Sequence, residues 1–201
     1  MSEIPDKYDH RSVETRWMER WEALGLHRWD PERPREETFV VDTPPPTVSG
    51  SLHVGHVFSY THQDVIVRFQ RMRGRNIAYP MGWDDNGLPT ERRVQSVFGI
   101  RPDPRRRYDP SWKPTRGKGR KDPIEEVSRL NFIEACGIVT AEDEAAFERL
   151  WRRLGLSVDW SLQYATIDAH CRRLSQLSFL DLVRKGQAYS ALAPTMWDVD
   201  M

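Results

Sequence analysis

The chain has 201 residues, with 30 Lys and Arg set against 30 Asp and Glu, so its formal net charge is zero. That balance excludes a uniformly basic nucleic-acid coat, though not a local basic patch, and no run approaches the roughly 18 to 20 apolar residues of a membrane-spanning helix. Two cysteines, Cys136 and Cys171, lie far apart in no C-x-x-C pattern and the first residues are charged, so the expectation is a soluble cytoplasmic protein of α/β type, without disulfide framework or secretory leader, built on one sizeable core.

In chain order, Ser12 to Leu24 reads as a helix, with Ser12 as N-cap, Gly25 just past its end and an apolar stripe of Val13, Trp17, Trp21 and Leu24 that packs on the sheet. After a turn-rich linker, Thr38-Phe39-Val40-Val41 reads as a buried strand. It is stopped by Pro44-Pro45-Pro46, which cannot donate to a ladder, and Gly50 relaxes the loop. From about Leu52 to Arg73 the apolar residues Val57, Tyr60, Val65, Val67, Phe69 and Met72 recur at helical spacing, with His62 on the surface and Gly74 as the stop. Strand, tight loop and helix start make a phosphate-binding arrangement, in which backbone N–H groups and the positive helix end face the ligand. His53 and His56 fall three apart in that first turn, on one face, and Gly55 leaves room for a flat ring or a ribose. On residues alone, a phosphate site, a surface face and half of a metal site all remain open.

Asn76 to Asp84 reads as a second strand, parallel to the first across the helix, which brings Asp84 to the carboxyl end of the sheet beside the histidine loop. Asp85 reads as a loop carboxylate or an N-cap, and Trp83 as a pocket wall or a core residue. Pro89 to Val97 reads as a helix ended by Phe98-Gly99. The stretch from Arg105 to Lys121 carries eight basic residues and one acid, Asp109, and reads as a flexible exposed segment. It is either a solvated insertion or a phosphate-contacting arm in which Arg105, Arg106, Arg107, Lys118, Arg120 and Lys121 meet nucleic acid and Tyr108 or Trp112 stacks. Asn131 to Gly155 is helical, with capping-box chemistry at Thr140 and a buried stripe of Phe147, Leu150, Trp151 and Leu154. Asp159-Trp160 forms a turn. Asp168 opens a last helix, closed by Gly186, whose Leu174, Leu177, Leu180 and Leu182 read as core and whose Cys171 reads as a small buried hydrophobe.

The stretch Pro44-Pro45-Pro46-Thr47-Val48-Ser49-Gly50-Ser51-Leu52-His53-Val54-Gly55-His56 resembles the HIGH signature of the class I aminoacyl-tRNA synthetases, and its proline triplet and spacing resemble the valyl members. Gly82-Trp83-Asp84-Asp85-Asn86-Gly87-Leu88-Pro89-Thr90-Glu91 is similar to the second block of the Val/Ile/Leu group, and Leu150 to Ser161 to a later valyl block. The resemblance implies ATP-dependent activation of L-valine to valyl-adenylate and transfer to tRNA(Val), by a monomer that needs no membrane. It assigns His53 and His56 to catalysis at the phosphates. Pro46, Thr47, Gly50, His53, Gly55 and His56 would bind ATP, with Mg²⁺ carried on the phosphates and no protein metal ligand. Pro45, Trp83 and Asp84 would bind the amino acid, Asp84 holding the α-ammonium. The implied fold is a Rossmann-like parallel sheet, a nucleotide-binding half-domain with an N-terminal helix and further helices, as in an incomplete class I catalytic domain. Its expected divisions are a helical lead-in (1–36), the first catalytic half (37–99), the basic segment (100–123), a helical continuation (124–194) and the start of an editing insertion (195–201). Thr47 stands where the commonest valyl pattern has Asn, and no Lys-Met-Ser-Lys-Ser-like segment occurs. The expectation is therefore a fragment of a longer enzyme. A non-catalytic ATP- or tRNA-binding module, an inert remnant, and an isoleucyl- or leucyl-type fragment stand as alternatives.

Overall fold

The computed structural model describes residues 7–48, 52–117 and 123–196. Their order is α1 (His10–Ala23), β1 (Thr38–Val40), α2 (Val54–Met72), β2 (Asn76–Ala78), β3 (Gly82–Trp83), α3 (Leu88–Phe98), β4 (Ile100–Pro102), β5 (Glu125–Val127), α4 (Arg129–Arg153), β6 (Tyr164–Ala165) and α5 (Ala169–Arg184). The chain packs as two units, Met1–Thr166 and Ile167–Met201.

In the first unit the stretch 76–84 is a central strand with a parallel neighbour on each side. β1 pairs with β2, Phe39 opposite Ile77. The pairing runs on past the prolines through Val41 N–H to Ala78 O (2.9 Å), Asp84 N–H to Pro46 O (3.0 Å) and Val48 N–H to Asp84 O (2.8 Å). On the other side β6 pairs with β3, Trp83 opposite Ala165, flanked by Asp159 N–H to Tyr79 O (2.9 Å) and Thr166 N–H to Trp83 O (2.9 Å). This is the parallel, Rossmann-like α/β arrangement that the β-α-β pattern predicts. The proline triplet interrupts the ladder without ending it, because a proline carbonyl can still accept, as that of Pro46 does from Asp84 N–H.

The core beneath this sheet holds Val48, Tyr60, Val67, Ile77, Tyr79, Met81, Trp83, Phe147, Trp151, Leu156 and Val158. Tyr60 and Trp151 stack with ring centroids 4.7 Å apart, and the Tyr60 hydroxyl donates to Pro44 O at 2.6 Å, which ties α2 to the proline loop. Asp64, not singled out in the sequence, is the polar rivet of this face. Its buried carboxylate accepts from Ser157 N–H (2.7 Å), Ser157 Oγ (2.5 Å) and Arg68 Nε (2.6 Å), and so fixes α2 against the turn after α4. Val65, Phe69 and Met72 of the expected stripe are exposed instead, because α2 turns its Tyr60–Asp64–Val67 edge inward.

A second core joins α3, α4 and the parallel pair β4–β5 through Val94, Phe98, Ile100, Val127, Phe132, Ala135 and Val139. The pair β4–β5 brackets the basic segment, so the described part of that segment is not the free loop its composition suggests. Trp112 packs on this core and donates to Glu125 (2.8 Å), and Tyr108 donates to Glu134 (2.6 Å).

Three helices, α1, α4 and α5, depart from local expectation. Asp9, not Ser12, caps α1, accepting from Arg11 N–H at 3.2 Å, and α1 packs against α4 rather than on the sheet, with Trp17 and Leu24 exposed. Thr140 caps nothing: α4 runs unbroken through it from its true cap, Ser128, which accepts from Asn131 N–H at 3.1 Å. The Thr140 hydroxyl bonds back to Gly137 O (3.2 Å), the other use a helical threonine has for it. In the second unit α5 begins at Asp168, which accepts from Cys171 N–H at 2.7 Å, and ends before Gly186, as expected. Its Leu174, Leu177, Leu180 and Leu182 are exposed rather than core, since this unit has no second described element to cover them.

Candidate functional site

The site lies where the carboxyl ends of the parallel strands meet the start of α2. His53 is the N-cap of α2 and His56 its third residue, and each ring bonds into the helix start. His53 Nδ1 accepts from Gly55 N–H at 3.1 Å and His56 Nδ1 from His53 N–H at 3.3 Å, a capping box made by two imidazoles with centroids 4.0 Å apart. A nitrogen that accepts a hydrogen bond carries no proton, so the neutral rings are both Nε2–H tautomers. The helix start thus presents two fixed side-chain donors. Two amides of this turn are used within it, Gly55 N–H going to His53 and His56 N–H to the His53 carbonyl (3.0 Å). Burial, and then the neighbouring His53, hold the His56 imidazole below the usual histidine range, which keeps it a neutral donor at pH 7.

The absent side chain at Gly55 also leaves room for a neighbouring ring, that of His53. A Cβ there would stand 2.9 Å from Cε1 and 3.0 Å from Nδ1 of His53. Gly50, Ser49 and Ser51 lie outside the described residues.

Asp84 sits one register step from this loop. Its main chain is paired with Thr47 and its carboxylate receives a hydroxyl on each oxygen, Thr47 Oγ1 on Oδ2 (3.4 Å) and Thr166 Oγ1 on Oδ1 (3.3 Å). The position that departs from the commonest valyl pattern, Thr47, therefore contacts the predicted ammonium-binding group. Thr166 was missed in the sequence: it lies in no signature block, and only the β3–β6 register brings it to Asp84.

Trp83 packs in the core, edge-on to Phe147 (6.4 Å), with its indole N–H on Gln163 Oε1 (3.2 Å). Pro46 is buried and Pro45 half-buried in the loop beside Asp84. Asp85 caps no helix, since Gly87 precedes α3. It is buried, and no N–H or hydroxyl donor reaches either of its carboxylate oxygens. Burial raises the affinity of Asp85 for a proton, and burial together with the adjacent Asp85 raises that of Glu144 on α4.

Of the residues predicted to meet nucleic acid, Arg105 pairs with Asp103 (3.0 Å) and Arg106 with Glu126 (3.7 Å); Lys118, Arg120 and Lys121 lie outside the described residues. Clefts of 310 and 410 Å³ flank α1, the first lined by Trp21, His27, Arg28, Arg152 and Trp160, and no predicted site residue lines either. Among the described residues no three His, Cys, Asp or Glu side chains gather at metal-binding spacing, and no helix is long and apolar enough to cross a membrane.

Residues 16–201 match the family model described as tRNA synthetases class I (I, L, M and V). The chain is 55% identical over 196 residues to the valine--tRNA ligase of Thermobifida fusca and 57% identical over 197 residues to that of Salinispora arenicola, covering 98% of this chain in both cases. It spans only 22% of the length of each of those relatives. Among solved structures it is similar to the agnB2 LeuRS of Agrobacterium radiobacter K84, in its ternary complex with tRNA and LeuAMS, with TM-score 0.67 and 28% identity over 90% of this chain and 18% of that one.

Proposed function

This chain belongs to the class I tRNA synthetases (I, L, M and V), and we propose that its site activates valine: the valine carboxylate attacks the α-phosphate of ATP, pyrophosphate leaves to give valyl-adenylate, and the valyl group then passes to a hydroxyl of tRNA(Val) with release of AMP. The observation that carries this reading is the shared frame of loop and carboxylate. Asp84 N–H bonds Pro46 O at 3.0 Å and Val48 N–H bonds Asp84 O at 2.8 Å, so one ladder fixes the group for the amino acid beside the loop that leads to the histidines.

Each part then has a chemical task. Asp84 accepts from the α-ammonium and thereby orients the carboxylate, converting a bimolecular step into a positioned one. The two Nε2–H groups donate to phosphate oxygens as charge builds on them, without spending a proton. His56, held neutral, stays a donor whose proton is not given up at pH 7. Asp84 is committed to the ammonium and the imidazoles offer only N–H groups there, so Mg²⁺ would be held by the triphosphate oxygens and would offset their charge. The basic stretch around Arg107 is where the acceptor end of tRNA(Val) would lie.

The identity at the valine ligases supports valine as the amino acid. The test is ATP–pyrophosphate exchange with valine, isoleucine, leucine and threonine, using the natural polypeptide that carries these residues. Exchange that prefers valine and is lost in His56→Ala, with the fold intact by circular dichroism, is expected. Exchange unchanged in that variant overturns the role given to the histidine pair.

A further inference from the structure

We propose that Thr166 is a positioning residue for amino-acid recognition: its hydroxyl, with that of Thr47, sets the Asp84 carboxylate for the substrate ammonium. The inference rests on the role given to Asp84 above.

Thr47 is bridged to Asp84 on one side of the central strand, and Trp83 lies opposite Ala165 on the other, which puts Thr166 opposite Asp84. Laterally adjacent residues of parallel strands direct their side chains to the same face of a sheet. Thr47, Asp84 and Thr166 therefore form a row across three strand ends, with the acid in the middle. The contacts agree, with one hydroxyl on each carboxylate oxygen.

The Thr166 hydroxyl has a defined direction. It accepts Asp85 N–H at 3.1 Å, so the proton it carries is free to be given to Asp84 Oδ1. Two donors that hold the carboxylate from opposite sides fix the plane of its oxygens. Each oxygen keeps a second lone pair for the ammonium. At 3.3 and 3.4 Å both contacts are long for O–H···O bonds, as catalytic-site bonds often are before the ligand is bound.

Four variants of the natural polypeptide test this: Thr166→Val, Thr166→Ser, Thr166→Ala and Asp84→Asn. The readouts are kcat, KM for valine, KM for ATP and melting temperature. Expected is a rise of about tenfold in KM for valine in Thr166→Val, the factor for losing one hydrogen bond to a charged group, with kcat and KM for ATP within about twofold. Thr166→Ser should restore KM, and Asp84→Asn should raise it further. A normal KM for valine in Thr166→Val, while Asp84→Asn is impaired, overturns the inference and leaves the role of Asp84 standing. An unimpaired Asp84→Asn removes that role and the inference with it. Equal rises in both KM values, or failure of both Thr166→Val and Thr166→Ala to fold, make Thr166 a structural residue and also overturn the proposal.

Discussion

Replacing Gly55 by alanine should abolish activation while barely changing stability. The methyl group would meet His53 Cε1 at 2.9 Å and Nδ1 at 3.0 Å, so the imidazole must leave the position from which it caps α2. Loss of the cap costs about 1 kcal/mol. Against that, alanine is preferred over glycine inside a helix by roughly 0.8–1.0 kcal/mol. The two nearly cancel, and thermal unfolding should shift by no more than a few degrees. Function has no such compensation. Once displaced, His53 no longer aims its Nε2–H beside that of His56, and loss of one preorganised donor at a developing charge lowers kcat by about 10²- to 10³-fold. The assay is ATP–pyrophosphate exchange paired with a melt on the same sample. Full activity in Gly55→Ala would refute the geometry on which the histidine pair rests. A large fall in stability with the loss of activity would show that the glycine serves the fold instead.

Two further predictions concern the frame around the site. A Cβ at Gly82 would stand 2.5 Å from the Tyr164 phenol oxygen and 2.7 Å from its Cε1, so Gly82→Ala should destabilise by about 1–3 kcal/mol through overpacking. Most of that penalty should vanish in a Tyr164→Ala background, and a double-mutant cycle by urea unfolding that shows strict additivity would reject the contact. Burial, reinforced by Arg71 and Arg68, pushes the His27 imidazole down to about 4. The neutral ring is the form the fold favours, so this contribution is complete above the unfolded value of about 6.5 and is lost as the pH falls towards 4. The ring is only half-buried, and solvent screening reduces the figure to about 1–2 kcal/mol. Urea midpoints measured between pH 7 and pH 4 should fall less steeply in His27→Gln than in the parent, and identical slopes would overturn the assignment.

The sequence was most legible where local chemistry and the global fold agree. The β1–α2–β2 unit, the helix stops at Gly74 and Gly99, and the Asp168 cap all follow from residue types that leave the backbone few options. Legibility failed where a tertiary partner decided. Thr140 followed by acids spells a helix start, yet an unbroken α4 keeps its backbone bonds and buries Ala135, Val139, Phe147 and Trp151 along one body. The leucines of α5 have helical spacing that says which residues share a face, and nothing in spacing says whether anything covers it. The basic stretch reads as disordered by composition, but Asp103, Glu125, Glu126 and Glu134, three of them beyond its end, supply its partners. At the site, the loop and Asp84 could be read from motifs, whereas Thr166 could not, because its role depends on a pairing 82 residues away in sequence.

Asp84 and Asp85 show how sharply position can divide identical residues. Both are aspartates at the end of one strand, and the sequence separates them only by where that strand is taken to stop, at Asp84. In the structure the strand geometry does reach Asp84, which is laddered to Thr47. Successive side chains of an extended chain alternate in direction, so Asp84 meets the threonine row while Asp85 turns inward to Glu144 of α4. The first is left half-exposed for a cation to approach. The second is desolvated, which raises its affinity for a proton. A buried carboxyl pushed towards its neutral form adds less negative charge next to Asp84 than an ionised one would, so Asp84 is left the stronger negative pole at the strand end.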